Sequence, residues 1–234
     1  MHLLTNLKNL NLSNAHLCDS IPESFGNLVN LEVLDMSNAS LTGSIPASFG
    51  NLVNLVQLHL QDNNLSGHLP AGIGFLTSLE FLDLSHNQFC GQIPDSMQRL
   101  RHLLLLDLSY NRFCGKIPNS VKSLQRLLKL DLSHNQLSGE IPVGVAMLPN
   151  LMDLSLNNNT LVGPLHRGIG ALRRLINLDV SYNQLTGTVP KSVLKLRLHT
   201  RKLDHNQILG PLPEVDAWKQ VTGRHSRSNE VQPF

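Results

Sequence analysis

Leucine stands at residues 4, 28, 52, 76, 100, 124, 148, 172 and 196, a fixed step of 24. A period of this length marks stacked supersecondary units. With each of these leucines taken as offset 0, further columns stay apolar through eight units. Offset 3 is Leu from Leu7 to Leu175, and offset 6 is Leu from Leu10 to Leu178. Offset 8 runs from Leu12 to Val180, offset 13 from Leu17 to Leu185, offset 17 from Ile21 to Val189 and offset 21 from Phe25 to Val193. One unit of 24 residues cannot bury about seven apolar side chains within itself. Each unit must bury them against its neighbours.

Offsets 6 and 8 flank a variable residue. That period of two predicts a short strand with offsets 6 and 8 inward and offset 7 outward, repeated about 4.8 Å apart in a parallel sheet. The return path holds Gly at offset 15, from Gly43 to Gly187, and Pro at offset 18 in most units. Glycine permits a tight bend and proline fixes an extended one. Offset 11 is Asn63, Asn87, Asn111, Asn135, Asn159 and Asn183. A buried amide carries donors and an acceptor, so this column is expected to satisfy backbone groups that the turns leave unpaired. Units one and two have Ala15 and Ala39 there, with Asn14 and Asn38 one place early. Asp19 stands where Gly belongs, and His166 where Pro belongs. Unit nine is one residue short: Asn206 and Pro213 come at a spacing of 23, and Arg201 falls where an inward Leu is expected. Residues 1–213 thus form a solenoid of about nine units, and the polar stretch 214–234 is expected to be a disordered tail, with Trp218 available to fold back on the open end.

No apolar run approaches eighteen residues, so no membrane span is expected. The opening MHLLTNLKNL lacks the basic, apolar and small-residue order of a secretory leader. Net charge is +2 but unevenly spread. Residues 1–98 hold one Lys against eight acids, a balance of −7; residues 99–234 hold eighteen Lys and Arg against nine acids, a balance of +9. The basic half is a candidate surface for an anionic partner. Cys18, Cys90 and Cys114 all lie at offset 14, where four other units have Thr42, Ser66, Ser138 and Thr186. The odd count is no disulfide framework, and free thiols are expected although Cys90 and Cys114 sit on adjacent units.

Residues that differ between units mark the surface free to be specific. LDLSHNQFCGQIP at Leu82 returns as LDLSYNRFCGKIP at Leu106, and the exchanged letters fall at outward offsets. Units four to six bring together Phe81, Leu105 and Lys129 at offset 5, and Asp83, Asp107 and Asp131 at offset 7. His86, Tyr110 and His134 follow at offset 10, and Arg112 at offset 12. Exposed apolar and aromatic side chains with Arg among charges are what binding hot spots favour. The aspartates invite a glycosidase reading from their spacing of roughly 5 Å, but a regular ladder builds no cleft around a scissile bond. His86 and His134, about 10 Å apart, are too distant to share a zinc ion. No catalytic residue, metal or cofactor is expected. The cations at offsets 1 and 2, such as Arg101, Arg126, Arg173 and Arg174, form no aromatic-interleaved nucleic-acid surface. Asn11, Asn38, Asn64 and Asn158 begin N-glycosylation sequons that matter only in a secreted chain.

Residues 4 to about 213 fit LxxLxxLxLSxNxLxGxIP and so resemble the plant-type leucine-rich repeat. The pattern is similar to that of plant receptor-like kinase and receptor-like protein ectodomains and of polygalacturonase-inhibiting proteins. The resemblance implies an α/β, right-handed solenoid with a concave parallel sheet and an irregular or 3-10 convex side. It implies non-catalytic recognition of a peptide, protein or glycan on the concave face, in an extracellular or plasma-membrane setting. Inhibition of a secreted cell-wall hydrolase, or a receptor fragment without independent function, are the alternatives it leaves. The paired-cysteine caps usual in such ectodomains are missing from this sequence.

Overall fold

The computed structural model describes residues 6–210. Nine parallel strands form one continuous sheet: Asn9–Asn11, Val33–Asp35, Gln57–His59, Phe81–Asp83, Leu105–Asp107, Lys129–Asp131, Asp153–Ser155, Asn177–Asp179 and Thr200–Lys202. The first eight cover offsets 5 to 7, so the sheet begins one residue earlier than the alternation predicts. The first eight pair with a register step of 24, as in Leu82 with Leu106. The last pairs Leu178 with Arg201, a step of 23, which places Arg201 in the inward Leu column.

On the opposite side, short 3-10 segments such as Ala47–Asn51 and Asn119–Ser123 stack unit upon unit. Each of these segments but one follows a proline in extended conformation. The exception is His166, whose φ of −66° matches the prolines and whose Nδ1 accepts from Gly168 N–H. The eighth unit closes instead with one α-helical turn, Lys191–Leu194.

A second parallel sheet, which the repeat pattern did not predict, spans offsets 12 to 16. Its six strands are Ser66–His68, Gln88–Gly91, Arg112–Lys116, Gln136–Glu140, Thr160–Pro164 and Gln184–Thr186. The glycines at offset 15 lie inside or at the end of these strands with φ near +75°, a conformation glycine adopts without a Cβ penalty. Adjacent strands are staggered by two residues, so Cys90 lies opposite Arg112 and Cys114 opposite Gln136. That stagger carries the two thiols apart, and both cysteines are free.

Between the layers lies one continuous core of buried Leu, Ile, Val, Phe and Met from offsets 0, 3, 6, 8, 13, 17 and 21. The inward columns are as predicted in the central units; in the first, which has no unit before it to pack against among the described residues, Leu17 is exposed and Leu7, Leu10 and Leu12 are only partly buried. Phe89 and Phe113 stack inside it, ring centroids 6.3 Å apart. The asparagine column runs beside the core and bonds as expected. Asn111 Nδ2 donates to Leu84 O, Leu108 O and Ser109 O at 2.9, 3.2 and 3.0 Å, while Asn111 Oδ1 accepts from Phe89 N at 2.9 Å. Asn206, at the short spacing, repeats the pattern on Val180 O and Leu185 N. Asn63 Oδ1 accepts from both Ala39 N and Leu41 N, which serves a unit whose own offset 11 is alanine. At the far end Arg201 lies half-buried where the other strands have leucine. Its Nη2 donates to Val193 O, Leu194 O and Leu196 O, and burial holds its pKa below the usual arginine value. No helix among the described residues is long and apolar enough to cross a membrane. Residues 214–234, Trp218 included, lie outside the described residues.

Candidate functional site

The outward face of the nine-stranded sheet carries the predicted patch, with corrections. Leu103 and Leu106 are buried, and the two residues between them are both half-buried. The cause is local: Leu104 N–H and Leu105 N–H both donate to Glu80 O, at 2.8 and 3.1 Å. Two consecutive donors on one carbonyl break the strict alternation where the chain enters the strand, and both side chains keep partial exposure. The same double donation recurs at Leu128 and Lys129 on Leu104 O, and at Met152 and Asp153 on Leu128 O. Offset 4 thereby joins the surface. In units five to eight it supplies Leu104, Leu128, Met152 and Ile176, an apolar row on adjacent strands that strict alternation would have hidden. The signal was present, since units one to four hold Lys8, Glu32, Val56 and Glu80 there. Phe81 and Leu105, expected to be exposed, are half-buried.

The aspartates are not free charges. Asp83, Asp107 and Asp131 each turn Oδ1 onto the N–H and hydroxyl of the serine two residues on. Asp107 is only 7% exposed, where an exposed carboxylate was expected, because Lys129 Nζ closes over its Oδ2 at 2.8 Å. Asp131 lies 3.9 Å from the same ammonium. Burial alone would lower the Lys129 pKa, but the hydrogen bond and charge of Asp107, with Asp131 and Asp83 beyond, hold it above its ordinary value. Burial raises the Asp131 pKa, because its bonds to Ser133 only partly offset the lost hydration.

Offset 10 forms a ladder along the rim. Its residues adopt left-handed backbone, with φ between 48° and 59°, from Asn14 through His86, Tyr110 and His134 to Tyr182 and His205. Asn, Asp and His tolerate this region best, which accounts for the letters used in this column. The Tyr110 ring stacks between His86 and His134, with centroids 4.2 and 3.9 Å away. Asn158 Nδ2 continues the ladder, 3.3 Å from His134 Nε2, and Tyr182 stacks on His205 at 4.0 Å. The two histidines of the patch are thus separated by an aromatic ring. Arg112 does not belong to this face. It is exposed at the head of a strand of the second sheet. Among the sequons, Asn11, Asn38 and Asn64 are exposed, whereas Asn158 is half-buried in the ladder.

Stacked 24-residue units with two parallel sheets, an asparagine column and an uncovered variable face define a leucine-rich-repeat solenoid. The leucine-rich repeat region family matches residues 1–97, and the leucine rich repeat family matches 102–124, 126–148 and 174–196. The chain belongs to the leucine-rich-repeat proteins, and to their plant type. It is similar to the plant peptide hormone receptor RGFR1, solved in complex with RGF2, at 35% identity and a TM-score of 0.89 over 93% of this chain and 35% of that one. It is also similar to the Arabidopsis receptor kinase HAESA, solved with the peptide hormone IDA and the co-receptor SERK1, at 38% identity and a TM-score of 0.84 over 91% of this chain and 36% of that one. A plant ice-binding protein shares the solenoid at 28% identity and a TM-score of 0.71, over 88% of this chain and 74% of that one. This chain therefore spans little more than a third of the receptor chains. Among curated proteins, none matches the sequence.

Proposed function

We propose that the nine-stranded face recognises an extended peptide or protein segment, as part of a plant cell-surface receptor that works by binding and not by catalysis. One observation carries the reading: the uncovered apolar strip of Phe81, Leu104, Leu105 and Leu128, bounded by the Lys129–Asp107 pair and by the ring ladder. A ligand laid across the strands meets apolar area at its centre and hydrogen-bonding rings at its rim, the anatomy of a binding hot spot. The likeness to RGFR1 and HAESA supports an extracellular setting and a peptide ligand.

The test is to pan a random-peptide library on the whole chain and titrate the selected peptides against variants. Phe81→Ala and Tyr110→Ala should each weaken binding by about 2 kcal/mol, roughly thirtyfold. Peptides that bind both variants as tightly as the parent would sink the assignment.

A further inference from the structure

A second surface lies on the turns that lead from each convex segment into the next strand of the nine-stranded sheet. They occupy offsets 22 to 2 and read, in order, GNLVN (26–30), GNLVN (50–54), GFLTS (74–78), QRLRH (98–102), KSLQR (122–126), AMLPN (146–150), GALRR (170–174) and LKLRL (194–198). None of them contains an acid. From the fourth onward they hold eight Lys and Arg, all exposed, together with His102. Among the described residues the charged heads of Arg101, Lys122, Arg173, Lys195 and Arg197 make no hydrogen bond or ion pair. Arg174 bonds only to the neutral Asn150 Oδ1, and Arg126 reaches His102 Nδ1 at 3.0 Å and Glu80 at 3.7 Å. Four of these five turns carry two cations each and the middle one, 146–150, carries none; at a strand spacing of about 4.8 Å they make an edge roughly 20 Å long with two basic stretches. Such an edge repels itself, and a partner with anions spread along its length relieves the repulsion.

We propose that this edge binds a linear acidic polysaccharide with a carboxylate on each sugar. A groove of about 440 Å³ opens where the neutral turns meet the basic ones, lined by Thr77, Ser78, Glu80, Arg99, Arg101 and His102. A sugar ring placed there would meet the guanidinium groups of Arg99 and Arg101 and the hydroxyl groups of Thr77 and Ser78, with the one acid of the lining, Glu80, turned toward Arg126 at 3.7 Å. The planar guanidinium fork matches a carboxylate in two-point contact. A nucleic acid fits less well, because bases need open aromatic faces. Of the two rings on these turns, Phe75 lies under Arg99, whose guanidinium is 5.3 Å from its centroid, and His102 is engaged by Arg126 through Nδ1. A lipid surface fits less well too. The exposed Val29, Val53 and Phe75 stand on the neutral turns, with Met147 alone among the cations. The choice of a polysaccharide rests on the extracellular reading above.

The experiment uses the whole chain and immobilised polygalacturonate in a buffer containing EDTA. Binding should weaken steeply with added salt and vanish on the fully methyl-esterified polymer. The fourfold variant R99Q/R101Q/R173Q/R174Q should lose about tenfold or more, since exposed ion pairs contribute modestly one by one. The double variant R99Q/R101Q should show an intermediate loss, so a poorly folded fourfold variant does not block the test. R112Q, a cation on the other sheet, should bind as the parent does. Phe81→Ala and Tyr110→Ala should also keep polymer binding, which separates failure of this proposal from failure of the peptide reading. A silent double variant overturns the proposal. So does equal or tighter binding to heparin, to a single-stranded oligonucleotide or to phosphatidylserine vesicles, or a loss caused by Phe81→Ala.

Discussion

Asn111 offers the sharpest test of how the units are joined. Its amide serves four backbone groups in two units, and they are not equally dependent on it. Ser109 O also accepts from His86 N at 3.0 Å. Leu84 O has a second donor in Asn87 Nδ2 at 3.2 Å, and Leu108 O has one in Asn135 Nδ2 at 2.9 Å. Phe89 N–H is bonded to Asn111 Oδ1 and heads a residue with no exposure. Asn111→Ala therefore strands one buried donor outright and thins three acceptors. An unsatisfied buried donor costs about 1–3 kcal/mol, so the total should fall near 2–3 kcal/mol. Asn111→Asp keeps an oxygen for Phe89 N–H but turns the other onto three carbonyl oxygens, with a charge to bury. It should be worse than Ala at pH 7 and should recover part of the loss as acid protonates the carboxyl. Urea melts followed by circular dichroism at pH 7 and pH 4 read both effects. Asn111→Ala within about 0.5 kcal/mol of the parent, the scatter of a surface change, would show that the column is not structural. Asn111→Asp equal to the parent at pH 7 would show that the amide hydrogens do not matter.

Other outcomes follow from the same geometry. Asp131 has a raised pKa, so the fold holds its proton more tightly than the unfolded chain does. Its contribution is favourable below the unfolded value, near 3.9, and is lost as pH rises through the folded one. Asp131→Asn keeps an oxygen for Ser133 N–H and should stabilise at pH 7, with the gain shrinking below pH 4 in paired melts. Val121 borders a void of about 20 Å³ beside Met97, Leu106 and Leu124, while offset 21 holds Ile at 73 and 169. Val121→Ile should raise the urea midpoint by the equivalent of up to about 0.8 kcal/mol, and a drop would mean the void is too rigid to fill. Tyr110→Asn should cost about 1 kcal/mol in lost stacking. Tyr110→Val should cost more, because a β-branched residue is strained at a φ of 52°. Equal melting points for the two would remove the left-handed backbone from the explanation.

The core was legible because its rule is one of repetition. A leucine recurring at 28, 52 and 76 fixes the unit, and every apolar column counted from it is buried in the central units. The second sheet was not legible. Its strands run through Gly67, Gly91 and Gly115, residues that read as bends, and the left-handed glycine proves compatible with a ladder on either side. The ring ladder was half legible. His86, Tyr110 and His134 read as outward, but only the backbone at φ near 52° shows why they stack and do not splay. Asp107 misled for a third reason. The alternation gives the direction of a side chain, not what covers it, and Lys129 from the next strand covers it. The half-buried apolar row at offset 4 was missed at the same point, since the alternation shifts by one residue where each strand begins, and only Lys8, Glu32 and Glu80 at that offset marked it as outward.

The two outward surfaces handle charge in opposite ways, and that difference bears on what each can do. On the nine-stranded face the cations are spoken for: Lys129 by Asp107, and Lys202 by Asp179 at 3.1 Å. Their fields cancel within a few ångströms, so selectivity there must come from shape, apolar contact and directed hydrogen bonds. Such contacts act only at close range and set how slowly a ligand leaves. On the turn edge the turns themselves hold no acid, and among the described residues only Glu80 pairs with their cations, at 3.7 Å from Arg126. An uncancelled field reaches about 10 Å at 0.1 M salt and acts on a partner before contact. A polymer held along the edge by that field would keep the chain close to a fixed matrix while leaving the strip of Phe81, Leu104 and Leu105 uncovered. Salt would then release the polymer and leave peptide binding largely intact, and Phe81→Ala would do the reverse.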